Sequence, residues 1–203
     1  MKQKVDNFDL IIPHLRFKSG SFFTVNLLFR NKDGTTLLGS NKDKERTFAT
    51  YPIYELNDLN NKRKDIINAC EALKCRANIS INLRTDKGVN DRLLKSATES
   101  AISGIYKNAF QLNSIIHTPD KRDNYFLIDI DNIKDEQSLN FIKYKLFNIK
   151  PIKNKILYTI PTYSGFHCVS EVFDREEFDN IFNKNEVSYH VNGMAALYYP
   201  EQE

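Results

Sequence analysis

The final third of the chain carries the sequence pattern that most restricts the fold. Strand-like and helix-like segments follow one another from residue 125 to residue 191 in the order β-α-β-β-α-β. The first segment, Tyr125–Asp131, is apolar enough for the centre of a sheet. The next segment has apolar residues three and four apart and ends before Pro151, because proline cannot continue a helix. Its predicted buried residues are Leu139, Ile142, Leu146 and Ile149.

This order of elements predicts an α+β protein whose last third is a ferredoxin-like or RRM-like sheet. Asp174, with Glu177 three residues later, predicts a capping box at the start of the second helix. We assign residues 1–120 to an N-terminal α/β module that packs on this sheet, and residues 121–203 to the RRM-like module. Such folds carry many functions, so the topology alone identifies none of them.

The N-terminal module is predicted to combine a hairpin, a further strand and two helices. The strand segments are a hairpin over Phe17–Leu38 with its turn at Asp33-Gly34, and an extended segment over Thr47–Tyr54. The helices are one that Asn57 or Asp58 caps, with Leu59, Ile66, Cys70 and Leu73 buried, and one from Asp91 to about Phe110, with Leu94, Ala97, Ala101 and Ile105 buried.

Composition restricts the environment more than it restricts the function. With 41% hydrophobic and 27% charged residues, the 203-residue chain has enough apolar side chains for a packed core. No apolar run approaches the roughly 20 residues that a membrane span needs, and no signal peptide is present, so we expect a cytoplasmic protein with no membrane partner. The three cysteines are not spaced as a zinc site, and we expect buried thiols.

Basic residues are concentrated in one segment, although the net charge is only +3. No acidic residue occurs from Gln137 to Ser170. The lysines within that stretch are Lys143, Lys145, Lys150, Lys153 and Lys155. The segment is able to contact phosphates, but lysine-rich faces are also common on ordinary solvated surfaces.

A nearly strict alternation of apolar and polar residues runs from Arg76 to Arg84. This pattern predicts a strand with one buried face and one polar face. The polar face carries two arginines and two amides, which are groups that bind phosphates or base edges. A plain solvent-facing surface is the alternative interpretation.

Two carboxylates end the apolar strand Tyr125–Asp131. Asp129 and Asp131 are two residues apart, so they lie on the same face of the strand. Neighbouring anions repel each other unless a cation lies between them, and Mg²⁺ or Mn²⁺ supplies that cation when substrate phosphates are bound. In the alternative interpretation, Asp131 starts a turn and Asp129 accepts bonds from backbone or arginine groups.

The segment Pro161–His167 offers hydroxyl groups beside a tight turn. Gly165 permits the turn, Ser164 precedes it, and His167 follows on the next strand. A histidine there is able to donate to a phosphate oxygen, although a single strand histidine is more often structural.

The D-x-D at a strand end, followed by S-x-x-H on a hairpin strand, resembles the archaeo-eukaryotic primase and primase-polymerase superfamily, especially its small phage and mobile-element members. The resemblance covers about residues 45–200 and implies a metal-dependent nucleotidyltransferase that uses nucleoside triphosphates and a single-stranded DNA or RNA template. It also implies a helicase or another replication protein as a partner. In this family the serine and histidine are separated by one residue, whereas two separate Ser164 from His167.

The resemblance assigns roles to individual residues. Asp129 and Asp131 would bind the catalytic Mg²⁺ or Mn²⁺, and His167 would contact the triphosphate and count with them as catalytic. Ser164, Arg76 and Arg84 would bind phosphate. The family's third metal-binding aspartate is replaced here by Asn192, whose amide oxygen ligates a metal without adding charge.

Two other functions remain open from the sequence. A catalytically degenerate nucleic-acid-binding protein would use an RRM-like sheet with Tyr125, Phe126, Tyr163 and Phe166 as stacking surfaces, but the aromatic-rich RNP pattern is missing. A metal-dependent nuclease would also use D-x-D and a histidine, but the paired histidines of replication-initiator nucleases do not occur.

Overall fold

The computed structural model describes residues 2–30, 46–106, 115–116, 125–133 and 135–202. Within these ranges the protein is an α+β structure with two antiparallel sheets, which confirms the predicted class. In chain order the strands are β1 (Val5–Asp6), β2 (Ser21–Phe29), β3 (Arg46–Ile53), β4 (Arg76–Ser80), β5 (Arg84–Thr85), β6 (Tyr125–Asp131), β7 (Ile156–Pro161), β8 (Gly165–Glu171), β9 (Val187–His190) and β10 (Met194–Tyr199). The helices are α1 (Phe8–Ile11), α2 (Leu56–Leu73), α3 (Asp86–Ser103), α4 (Glu136–Asn148) and α5 (Arg175–Ile181).

The first sheet has the strand order β1-β10-β4-β2-β3, with β5 beside β2. All of its pairs are antiparallel. β10 comes from the end of the chain, yet it lies between β1 and β4. The division at residues 120 and 121 therefore does not coincide with the division between the two sheets.

The second sheet has the strand order β7-β8-β6-β9, again entirely antiparallel. On one face, Phe126, Ile128 and Ile130 of β6 are buried in a cluster with residues of α4 and α5. On the other face, Leu127 belongs to the buried cluster of the first sheet. The helix-free face of the second sheet therefore packs on the first sheet.

The helices of the second sheet follow their predicted patterns. The four apolar residues predicted on α4 are buried. Asp174 caps α5 by accepting hydrogen bonds from the N–H groups of Glu176 and Glu177 at 3.0 and 3.1 Å. The second hydrogen bond of the predicted capping box, from the N–H of Asp174 to the Glu177 side chain, is wrong. The Glu177 carboxylate instead accepts from the backbone N–H of Lys150 at 2.8 Å.

The second strand of the predicted hairpin lies outside the described residues, but its first strand, β2, forms an antiparallel pair. Its partner is β3, the segment that was predicted as a separate extended strand. The predicted turn at Asp33-Gly34 lies outside the described residues. The pairing of β2 with β3 was not predicted, because a long connection separates the two strands in sequence.

The N-terminal helices differ from prediction at their ends and faces. α2 begins after Glu55, which acts as the N-cap in a capping box with Asp58, and Leu73 is 39% exposed rather than buried. On α3 the buried residues are Val89, Ser96 and Ser100. The predicted stripe is on the wrong face of α3, since Leu94 is 70% exposed. None of the helices in the described part of the chain is long and apolar enough to cross a membrane.

Both faces of β4 are buried, whereas the alternation predicted only one. Ala77 and Ile79 belong to the core, and Arg76 and Ser80 on the other face are 8% and 1% exposed. The reason is that β4 is a central strand and that the second sheet lies against its polar face, where Arg76 contacts Tyr163 of the turn between β7 and β8. The three cysteines are buried free thiols, as predicted.

Candidate active site between the two sheets

A cleft of about 300 Å³ opens between the two sheets at the carboxyl end of β6. Asp129 and Asp131 line it from β6, on the face that is turned to the first sheet. His167 is the direct partner of Asp129 on β8, and Ser164 lies in the turn before that strand. Together with Arg76 from β4, these are most of the residues that the sequence predicted for the site.

His167 is held in one orientation against Asp129. Its Nδ1 accepts a hydrogen bond from the backbone N–H of Ala196 at 3.1 Å, so this nitrogen carries no proton. The ring proton is therefore on Nε2, which lies 3.4 Å from Oδ1 of Asp129. His167 thus joins β10 of the first sheet to a carboxylate of the second through its two ring nitrogens.

The Asp129 carboxylate is ionised at neutral pH. Burial raises its pKa, but the hydrogen bond from His167 and the basic groups of His190 and Arg30 lower it by more. The pKa of Asp129 therefore lies below its ordinary value of 3.8. The side chain is 30% exposed, which leaves the carboxylate accessible from the cleft.

The second carboxylate is oriented by the turn between β7 and β8. The hydroxyl of Ser164 donates to Oδ1 of Asp131 at 2.8 Å. The turn is closed by hydrogen bonds in both directions between Thr162 and Gly165. A Cβ on Gly165 would lie 1.9 Å from the carbonyl oxygen of Ile130, so only glycine allows β8 to approach β6 here.

Cationic side chains surround the two carboxylates. The guanidinium carbon of Arg76 lies 4.7 Å from the ring centroids of both Tyr163 and Tyr199. Arg30, at the end of β2, and Lys2 also line the cleft. The two tyrosine rings contact each other, with centroids 5.0 Å apart, so Arg76 packs beside the pair, and an arginine held against aromatic rings is suited to phosphate binding.

Arg30, Lys2 and Tyr199 were not predicted as site residues. Arg30 follows the apolar strand β2 directly, in the way that the aspartates end the apolar strand β6. A charged residue at the end of a central strand was therefore a usable signal. Lys2 and Tyr199 carried no comparable signal, because their positions depend on β1 and β10 joining the first sheet.

Two predicted site residues lie away from the cleft. Arg84 on β5 is 3% exposed, and its Nη1 donates to the backbone oxygen of Asn82 at 2.8 Å. Asn192 lies in the turn after β9, beyond His190, which pairs with Leu127. Since β9 is antiparallel to β6, Asn192 lies near the start of β6, roughly 13 Å along that strand from Asp129. The structure therefore brings neither residue to the two carboxylates.

The lysine-rich segment is largely engaged elsewhere. Lys155 is buried, and its Nζ donates to the carbonyl oxygens of Leu146, Phe147 and Lys153. Lys150 is ion-paired with Glu177 and Lys153 with Glu171. The prediction that this segment follows a polyanion is therefore not supported by the surroundings of these three side chains.

Asp129 and Asp131 are the carboxylates of the cleft that could hold a hard divalent cation. Two carboxylates on one strand face match the protein ligands that Mg²⁺ uses when waters and substrate phosphates complete its shell. Within the described ranges no group of three or more His, Cys, Asp or Glu side chains is arranged to hold a metal ion. A metal at this site would thus depend on Asp129, Asp131 and the bound substrate.

No family model, no curated protein and no solved structure matches this chain. Its function is therefore inferred from the side chains of the cleft. The cleft carries both signs of charge, since two carboxylates and the cations Arg76, Arg30 and Lys2 line it.

Proposed function

We propose that the protein is a metal-dependent nucleotidyltransferase of the primase-polymerase type, which joins nucleoside triphosphates on a single-stranded DNA or RNA template. The observation that carries this proposal is the combination of Asp129 and Asp131 with Arg76, Arg30 and Lys2 in one cleft. A simple anion would be repelled by the carboxylates, and a free metal ion by the cations. A metal-triphosphate complex matches both sets of charges.

The arrangement of the second sheet supports the same proposal. Its antiparallel order β7-β8-β6-β9, with α4 and α5 on one face, agrees with the ferredoxin-like arrangement of β-α-β-β-α-β. In that arrangement the carboxylates lie at the end of a central strand, next to the hairpin that carries Ser164 and His167. These are the relative positions that the resemblance to the primase superfamily implies.

The five predicted residues that line the cleft each have a role in the proposal. Mg²⁺ or Mn²⁺, bound by Asp129 and Asp131, would align the triphosphate and offset negative charge in phosphoryl transfer. Arg76 binds phosphate oxygens from the opposite wall. The contact of His167 with Asp129 and the hydrogen bond of Ser164 to Asp131 keep the two carboxylates in position, so that neither has to reorder when the substrate arrives.

The nucleic-acid-binding alternative, in which an open RRM-like sheet stacks bases, has less support. The helix-free face of the sheet is covered, because Leu127, Ile160 and Val169 are buried against the first sheet. Phe126 is 1% exposed and is packed against Phe173 on the helix side.

A cytoplasmic location and a helicase or other replication protein as partner belong to the favoured proposal.

Calorimetric titration of Mn²⁺ tests the proposal, with and without a nucleoside triphosphate. We expect weak binding of Mn²⁺ alone, stronger binding with triphosphate, and loss of the coupled binding in Asp129→Asn and Asp131→Asn. Asp65→Asn, an exposed change on α2, is the matched control and should behave as the wild type. Primer-extension assays on single-stranded templates then test the activity. Nucleotide incorporation that persists in the Asp129→Ala/Asp131→Ala double variant would overturn the mechanism.

A further inference from the structure

A second cavity lies between the sheets, away from the carboxylate cleft. It has a volume of about 830 Å³ and shares no lining residue with the cleft. Tyr125 at the start of β6 lines the cavity, whereas Asp129 of the cleft is four residues further along the strand. At about 3.3 Å per residue, the two sites are separated by roughly 13 Å along β6.

The inner wall of the cavity is apolar and partly aromatic. Phe23, Ile81 and Val169 contribute apolar side chains from both sheets. Tyr158 lines the cavity from β7, and the ring of His14 stacks on it with centroids 4.6 Å apart and an interplanar angle of 23°. Stacked rings of this kind extend readily to a further planar group, because offset stacking is favourable between flat aromatic surfaces.

The rim of the cavity carries charge of one sign. Arg16, Lys18 and Lys87 line it, and no Asp or Glu is found among the described residues that line it. A concave surface with cations and no carboxylates attracts anions and needs no metal ion to do so. In this respect the cavity differs from the cleft, where two aspartates are present.

We propose that this cavity is a binding site for a free aromatic anion of mononucleotide size, separate from the carboxylate cleft and independent of divalent metal. The volume lies within the range of small-molecule sites. The flat ring of the ligand packs between the apolar wall and Tyr158, and its phosphate faces Lys18 and Lys87. This proposal does not depend on the nucleotidyltransferase activity, because the two sites have no residue in common.

The test is calorimetric titration of adenosine 5′-monophosphate in the presence of EDTA, which removes metal-dependent binding in the cleft. The charge-reversal variant Lys18→Glu/Lys87→Glu should bind about tenfold more weakly, because two exposed attractions become repulsions. Lys95→Glu is the control, since Lys95 is an exposed residue of α3 that does not line the cavity. Asp129→Asn should bind the monophosphate as the wild type does.

Methyl-labelled NMR spectra locate the ligand. Shifts of the Ile81, Leu83 and Val169 methyl groups are expected, because none of these side chains lines the cleft. Absence of binding in EDTA, or equal affinity for uncharged adenosine, would overturn the proposal. Tighter binding of dodecanoate would exclude an aromatic ligand, and tighter binding of a short oligothymidylate than of thymidine monophosphate would exclude a free nucleotide.

Discussion

Nε2 of His167 lies 3.4 Å from Oδ1 of Asp129, and the two residues are direct cross-strand partners on β8 and β6. The other nitrogen of the ring accepts from the backbone N–H of Ala196 on the first sheet. The imidazole therefore connects the two sheets at the carboxylate of the candidate site. It orients Asp129 and at the same time favours its ionised form.

The first prediction concerns the pH dependence of this contact. The pKa of Asp129 is lowered in the folded protein, so the unfolded state binds its proton more readily. The stabilisation is present above the ordinary value of 3.8 and is lost as the pH falls through the folded pKa. At pH 7 we expect Asp129→Asn to lower the free energy of unfolding by about 0.5–1.5 kcal/mol. The difference between variant and wild type should shrink as the pH falls below 3.8 and disappear once the pH is below the folded pKa.

Chemical denaturation at several pH values measures this difference. Asp65→Asn is the control, because an exposed carboxylate on α2 should give little difference at any pH. A difference for Asp129→Asn that stays constant from pH 7 to acid pH would show that the carboxylate is not stabilised by its charge.

The second prediction concerns Gly165, where β8 approaches β6. A Cβ at this position would lie 1.9 Å from the carbonyl oxygen of Ile130, and backbone atoms cannot move aside as a flexible side chain can. We expect Gly165→Ala to lower the free energy of unfolding by about 1–3 kcal/mol and to weaken metal-triphosphate binding by displacing Ser164.

Gly104→Ala is the comparison, because Gly104 has open space around it and a φ of +68°. Its cost should be about 1 kcal/mol, from backbone conformation alone, with no effect on the cleft. Thermal and chemical unfolding of both variants measures the costs. Equal unfolding free energies together with unchanged ligand binding would argue against a close strand approach at Gly165.

Local sequence patterns were sufficient to predict β6, which carries the two aspartates, and the elements next to it. The apolar residues of α4 are buried because their spacing of three and four places them on one side of a helix. Asp129 and Asp131 share a face because side chains alternate along a strand. These features depend only on residues that are near each other in sequence.

Long-range pairing and close helix packing were not predictable in the same way. β10 joins the first sheet, and this contact positions Tyr199 in the cleft and Ala196 against His167. No local pattern distinguishes this pairing from an extra strand of the second sheet. On α3, the small side chains of Ser96 and Ser100 face inwards while Leu94 is exposed, so apolar spacing selected the wrong face.

The third prediction concerns Lys155, which is a structural residue in this protein. Its Nζ donates to the carbonyl oxygens at the end of α4, at 2.6 Å for Leu146 and 3.2 Å for Phe147. Lys155→Met keeps the length and apolar stem of the side chain but removes these donors. We expect a loss of about 1–3 kcal/mol in the free energy of unfolding. Lys153→Met, which removes a half-exposed partner of Glu171, should cost less than about 1 kcal/mol.

The Lys153→Met variant also tests whether the lysine-rich segment binds nucleic acid. If the lysine-rich segment contacted a polyanion, Lys153→Met would reduce single-strand binding and its salt dependence. We expect no such reduction, because the side chain is engaged with Glu171. Filter binding at several salt concentrations measures this effect. A lower salt slope in Lys153→Met would show that the lysine-rich segment does contact phosphates.

The last prediction concerns Arg76 and Arg84, which the alternating strand pattern predicted to lie on the same polar face. Arg76 packs against the rings of Tyr163 and Tyr199 in the cleft, whereas Arg84 is buried and donates to the backbone oxygen of Asn82. Lysine keeps the charge but has neither the planar fork nor the stacking surface. We expect Arg76→Lys to weaken metal-triphosphate binding about tenfold and Arg84→Lys to leave this binding within about twofold. Both variants lose a buried contact, so both are expected to lower the free energy of unfolding. Calorimetry below the unfolding temperature of each variant separates the two effects. Weaker binding in Arg84→Lys alone would assign phosphate recognition to β5 and remove Arg76 from the site.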